Sequence, residues 1–221
     1  EDALTKEFNF PVRILDRNWI VEKVFNNDCI DIVEQTLSIE NLQFTPRKQL
    51  GPRDAEREIE LSQLDKDIGD VNRYSGVHYQ LAEDILKAAL IASELERPRL
   101  EVDGRFSAAL RVAESVGDSR QVLRVYYKWA WVSCFVYDDV GGLNKLYGKV
   151  AELGLVSSHA DDVESVQNLF NVLISAVKSG GISESKAKIA GRSRGLQEHL
   201  ETLSSDSSRP NNALHAKGML C

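Results

Sequence analysis

From residue 76 onward, apolar residues return every three or four positions, the spacing of helices buried on one side. The densest stretch is Ser119 to Tyr137, SRQVLRVYYKWAWVSCFVY, which has no Gly or Pro inside it. Val122, Val125, Tyr126, Trp129, Ala130 and Val136 fall on one face of that stretch. Arg120, Arg124, Tyr127, Lys128 and Trp131 fall on another. Gly117-Asp118 before it and Asp138-Asp139 after it supply capping residues. The pattern predicts a central helix with one face in a core and one face turned outward.

The same spacing predicts helices on either side of it. One runs from Gly76 to Glu96 and breaks at Arg97-Pro98. A second carries Phe106, Ala109, Leu110, Ala113 and Val116 and stops at Gly117. A fourth carries Leu143, Leu146, Tyr147, Val150 and Leu153 and stops at Gly154. A fifth spans Asp161 to Ser179 and ends at Gly180-Gly181, and a sixth, more polar, spans Ser183 to Leu203. A seventh opens at Pro210, where proline suits the first helical position. The long helices start near Gly76, Asp118, Ala160 and Arg209, in steps of 42, 42 and 49 residues. Long and shorter helices alternate within each step, as in a solenoid of stacked helical hairpins.

The first 70 residues read differently. Phe8, Phe10, Pro11 and Ile14 predict an extended lead-in. Asp16 would cap a helix carrying Trp19, Ile20 and Val24, and Ile30, Val33 and Leu37 would continue on another. PRDAEREIELSQLDKDI, from Pro52 to Ile68, predicts a charged surface or linker helix. Its apolar stripe is thin: Ile59 or Leu61, then Leu64 and Ile68. The expected division is therefore an N-terminal helical segment and linker helix over 1–70, and a helical-repeat domain over 71–221. The chain starts at Glu1 and stops at Cys221, soon after the seventh helix opens. A stacked unit needs a neighbour to bury its face, so the expectation is a fragment cut inside a larger array.

Composition narrows the function classes. Hydrophobic residues at 43% and charged residues at 28% are those of a globular domain, and no apolar run reaches membrane-span length. A net charge of -7 argues against bulk nucleic-acid binding. Cys29, Cys134 and Cys221 lie far apart, which fits a reducing, cytoplasmic compartment and no zinc site.

Residues 105–147 and 209–221 resemble tetratricopeptide-type repeats. RFSAALRVAESVGD carries small residues where two helices would press together, and ALHAKGMLC offers Ala213 and Gly218 as contact positions. The step near 42 exceeds the roughly 34 of the strict repeat, and the Trp-Leu-Gly-Tyr signature is absent, which leaves armadillo- or HEAT-like arrays open. The resemblance implies an all-α, right-handed α-solenoid whose concave surface, lined by first helices, binds a peptide or protein partner. Irregular arrays of this kind also resemble the sensor arms of large signal-transduction ATPases used in immunity, although no ATPase motif occurs in this chain.

The stripe Arg120, Arg124, Tyr127, Lys128 and Trp131 is the best candidate for partner binding, because interfaces use arginine and aromatic residues as anchors. Packing against the next hairpin is the other reading of the same stripe. Asn168 and Asn171 continue a polar stripe on the following long helix. Asp138-Asp139 and Asp161-Asp162 read as helix caps rather than metal ligands, since adjacent carboxylates do not converge on one ion. GRSRG, from Gly191 to Gly195, with Lys186 and Lys188, reads as a weakly stable basic helix. It has neither the strand nor the Lys-Ser/Thr ending of a phosphate loop. Arg73–His78, Arg192–His199, Arg194–His199 and Arg209–His215 match the Arg-x4-6-His spacing of a family of helical ribonucleases. There His would act as general base and Arg would hold the phosphate. No cofactor motif and no other catalytic motif is present. The expectation is a non-enzymatic protein-recognition module, with the helical ribonuclease as the alternative.

Overall fold

A computed structural model describes residues 52–70 and 72–220, and every regular element among them is a helix. In chain order they are α1 (Pro52–Gly69), α2 (His78–Glu94), α3 (Arg99–Val116), α4 (Ser119–Phe135), α5 (Val140–Gly154), α6 (Ala160–Lys178), α7 (Glu184–Ala187), α8 (Ile189–Ser204) and α9 (Pro210–Leu220). The elements expected over residues 1–51 lie outside the described residues. The described helices fall within one unit, Gln49–Cys221.

Local chemistry sets most of the boundaries. Asp118 Oδ1 accepts from the amides of Arg120 (2.9 Å) and Gln121 (3.2 Å) and so starts α4. Asp139 Oδ1 accepts from Gly142 N (2.8 Å) and starts α5. A cap of this kind is worth about 1 kcal/mol. Gly117 closes α3 at φ 78°, a conformation that costs glycine little. The Asp161-Asp162 reading needs correction: α6 is entered through His159 with no side-chain cap, and both carboxylates turn to other elements.

The predicted single helix over Ser183 to Leu203 is also two. Lys188 sits at φ 50° and separates α7 from α8. The α7 side is held from outside, where Asn144 Nδ2 donates to Lys186 O at 3.4 Å. No glycine or proline marks the break, so local sequence does not announce it.

Two hydrophobic clusters meet at α4. The first joins α1 to α4 through Leu61, Leu86, Phe106, Val125 and Val132. The second joins α4 to α5, α6, α8 and α9 through Leu123, Ala130, Tyr147, Leu169, Leu200 and Ala216. Trp129 packs against both, stacks on Phe106 at 5.6 Å, and donates from Nε1 to Asp103 Oδ1 at 2.7 Å. The single apolar face expected for α4 is thus two faces, because hairpins lie on both sides of it. Val136, placed on the apolar face by its spacing, falls just past the helix and is exposed.

Small residues sit where helices press closest. Ala82, Ala88, Ala89 and Ala92 of α2 and Ala109 and Ala113 of α3 are fully buried in one cluster, so the two backbones approach closely. Ala213 is buried as expected, whereas Gly218 is exposed with open space around it. α1 is more than a solvated helix. Leu61 and Leu64 are buried, Ile59 is exposed, and ion pairs Arg57–Glu94, Lys87–Glu60 and Arg105–Asp65 tie it to α2 and α3.

The long helices pack each on the next, α6 on α8 included, the short α7 touches α6, and α2 also touches α4, α4 touches α6, and α6 touches α9. Four hydrogen bonds between elements share one separation, while others span 38, 48 or 52 residues. Arg120–Asp162, Gln121–Tyr79, Asn144–Lys186 and His199–Ser157 each join residues 42 apart. No described helix is long and apolar enough to cross a membrane.

Candidate functional site

The first turns of α2 and α6 and the first half of α4 enclose a cleft of about 440 Å³. Arg120, Arg124, Tyr127 and Lys128 of the predicted stripe line it from α4. Tyr79 closes it from α2, and Asp161, Asp162 and Ser165 from α6. Arg120, Arg124 and Lys128 share a face because they are one helical turn apart.

The two arginines are anchored to neighbouring helices. Arg120 Nε donates to Asp162 Oδ1 at 3.1 Å, and the Asp162 side chain is only 8% exposed. Asp162 Oδ2 accepts from Ser157 Oγ, so this buried carboxylate is fully engaged. Arg124 donates to Glu83 of α2 and to Tyr79 Oη at 3.3 Å. Gln121 is almost fully buried beneath them, and its Nε2 donates to Tyr79 O at 3.0 Å and Glu83 Oε1 at 2.6 Å. Lys128 is exposed, with its ammonium 5.7 Å from the centre of the Tyr127 ring.

The remaining predicted residues lie elsewhere. Trp131 is half-buried, one turn beyond the cleft, and packs against the second cluster. It meets Tyr127 edge-on at 6.1 Å and stacks on exposed Phe135 at 4.7 Å, while its buried Nε1 has no hydrogen-bond partner. Asn168 is half-buried and Asn171 exposed on α6; neither lines the cleft. Tyr79, Gln121 and Glu83 were missed by the sequence reading. The 42-residue offset from Tyr79 to Gln121 was the available signal for two of them.

The Arg-His pairs are used for joining elements. His199 Nε2 hydrogen-bonds Ser157 O at 2.9 Å, Arg209 donates to Ser158 O at 2.9 Å, and Arg192 donates to Asn144 Oδ1 at 2.6 Å. Arg73 pairs with Asp67 at 3.1 Å. No two of the four pairs meet through a hydrogen bond among the described residues. Among the described residues, Asp161, Glu164 and His215 are the set that could hold a metal ion, with one donor atom each within 4.8 Å of the others. The ring divides its nitrogens between the acids, however: Nδ1 is 3.2 Å from Asp161 and Nε2 is 3.5 Å from Glu164. That geometry suits an imidazole bridging two carboxylates better than three donors converging on one ion. Cys134 is free, and burial pushes its thiol above the usual range, away from nucleophilic use.

The described residues thus define an all-helical protein with a polar cleft across three helices that are neighbours in space. Comparison of the chain with protein-family models, with curated proteins and with solved structures returns no match.

Proposed function

We propose that this chain is a protein-recognition module: a tetratricopeptide-like solenoid of helical hairpins that holds a protein partner on the surface of its first helices. In this reading α2, α4, α6 and α9 are first helices, and α3, α5 and α8 are their second helices. The observation that carries it is that four hydrogen bonds between elements join residues 42 apart, the value of the first two steps of the hydrophobic pattern. A stacked hairpin buries its flanks against neighbours and leaves one edge of each first helix over. On α4 that edge carries arginine and tyrosine, residues enriched at protein interfaces. A role as a cytoplasmic sensor or scaffold within a larger signalling protein follows from the same resemblance.

The test is partner capture from lysate of the source cells with three forms of the full chain. Wild type and Arg111→Glu, on α3, should recover the same protein, and Asn171→Arg, on the exposed side of α6, should lose it. Equal recovery by all three forms would remove the first-helix surface from the account.

A further inference from the structure

We propose that the cleft between α2, α4 and α6 takes an extended acidic peptide segment with carboxylates at alternate positions, running along α4. This rests on the recognition reading above and assigns its ligand chemistry.

Each of the cleft's carboxylates has a partner inside the protein: Asp118 caps α4, Asp162 is held by Arg120 and Ser157, and Asp161, 73% exposed at the rim, faces His215. The cations are only partly engaged. The Arg120 side chain is 52% exposed and engages Asp162 through Nε, which leaves its terminal nitrogens to solvent. Arg124 is 42% exposed and spends Nη2 on Glu83 and Tyr79, which leaves Nη1 without a partner among the described residues, and Lys128 meets the face of Tyr127. The unspent capacity of the cleft is therefore cationic donors, and an anionic ligand with several acceptors complements it.

Spacing selects among anions. Arg120, Arg124 and Lys128 are four residues apart, which places them about 6 Å apart along the axis of α4. An extended peptide presents every second side chain on one face, about 6.6 Å apart. Alternate Asp or Glu residues thus meet successive cations with little mismatch over three positions. Gln121 adds a reason for a peptide rather than a phosphate chain. It is 1% exposed and spends its amide hydrogens on Tyr79 and Glu83, so that Oε1 is an acceptor lacking a donor at the cleft floor. A peptide N–H supplies that donor once the side chains above it shift; a phosphodiester has none. Tyr79 and Tyr127 give apolar walls for the intervening residues. The net charge of -7 works against any acidic ligand at long range, so complementarity here must be local.

The test is fluorescence anisotropy on the full chain with a labelled decapeptide alternating Glu and Ser. Saturable binding at low salt is expected. Lys128→Glu should weaken it at least tenfold, while Arg111→Glu, the same charge change on α3, leaves it within twofold. No saturable binding overturns the proposal, as does equal weakening by the two variants, which would report only bulk charge. An oligothymidylate of matched charge that binds as tightly and is as sensitive to Lys128→Glu also overturns it, because the cleft would then be a polyanion site. If the decapeptide fails while partner capture still depends on Asn171, the ligand assignment falls and the recognition reading stands.

Discussion

The α5–α6 pair and the α8–α9 pair are each two successive helices packed on one another, but they are held by different forces. α5 and α6 bury Leu143, Tyr147, Val150, Val163, Leu169 and Leu173 almost completely. α8 buries three leucines, and α9 buries only Ala213 and Ala216. The second pair compensates with polar links to the segment before α6 and to α6 itself. His199, Arg209 and Asn212 bond to the carbonyls of Ser157 and Ser158, Ala160 N donates to Asn212 Oδ1 at 2.7 Å, and Gln167 donates to Met219 O at 2.9 Å. Each such bond contributes about 1 kcal/mol net, whereas each fully buried leucine contributes about 2–3 kcal/mol. With so little buried apolar surface, α9 should open locally well before α5 and α6 do.

Four changes probe that contrast. Leu169→Ala, at a fully buried position of α6, should cost about 3 kcal/mol in urea unfolding, and the same truncation at Leu203 in the last turn of α8 should cost less. Equal losses would erase the contrast. Gly154→Ala should cost about 2 kcal/mol. A Cβ there collides with Val166 Cγ2 and lies 3.1 Å from Asp162 O, and neither a β-branched side chain nor a helix carbonyl yields easily. A neutral result would mean that α5 and α6 are less tightly apposed at that end.

The third change is alkaline. Tyr147 is 1% exposed, and burial pushes its hydroxyl up to about 12 against the opposing pull of Arg192, whose guanidinium lies 4.3 Å from the ring centre. The folded state therefore holds the proton more tightly than the unfolded state. The associated stability is fully present below pH 10 and is lost as pH rises toward 12, about 2 kcal/mol by pH 11.5. Tyr147→Phe should lose correspondingly less between pH 9 and pH 11.5. It should cost little at neutral pH, because the buried hydroxyl has no partner to forfeit. Parallel decline of the two proteins would reject the burial argument. The smallest effect is expected for Asn212→Ala, which removes the links to Ala160 N and Ser158 O. It should speed amide exchange in α9 about fivefold, equivalent to about 1 kcal/mol, without moving the global unfolding midpoint.

Much of this architecture is legible in the chain. The capping aspartates Asp118 and Asp139, the stop at Gly117 and the 3.6-residue apolar repeat act locally, so the helices can be placed from neighbouring residues alone. The stripe Arg120, Arg124, Tyr127, Lys128 is legible for the same reason, and those four side chains do line one cleft. Long-range pairing is not legible. The burial of Asp162 by Arg120, the Arg124–Glu83 pair and the packing of Trp131 depend on which helix comes alongside, and helical spacing is silent on that. The Lys188 break is hidden because contacts made from α5 hold a residue whose own propensity does not favour φ 50°. The choice of Leu61 over Ile59 in α1 likewise awaits the position of α2.

Amide exchange with and without the alternating Glu-Ser decapeptide tests the central claim, a ligand surface made of first helices, most directly. Protection should rise in α4 and in the first turns of α2 and α6, and stay unchanged in α3 and α5. Protection concentrated in α3 and α5, or none anywhere at saturating peptide, would contradict it.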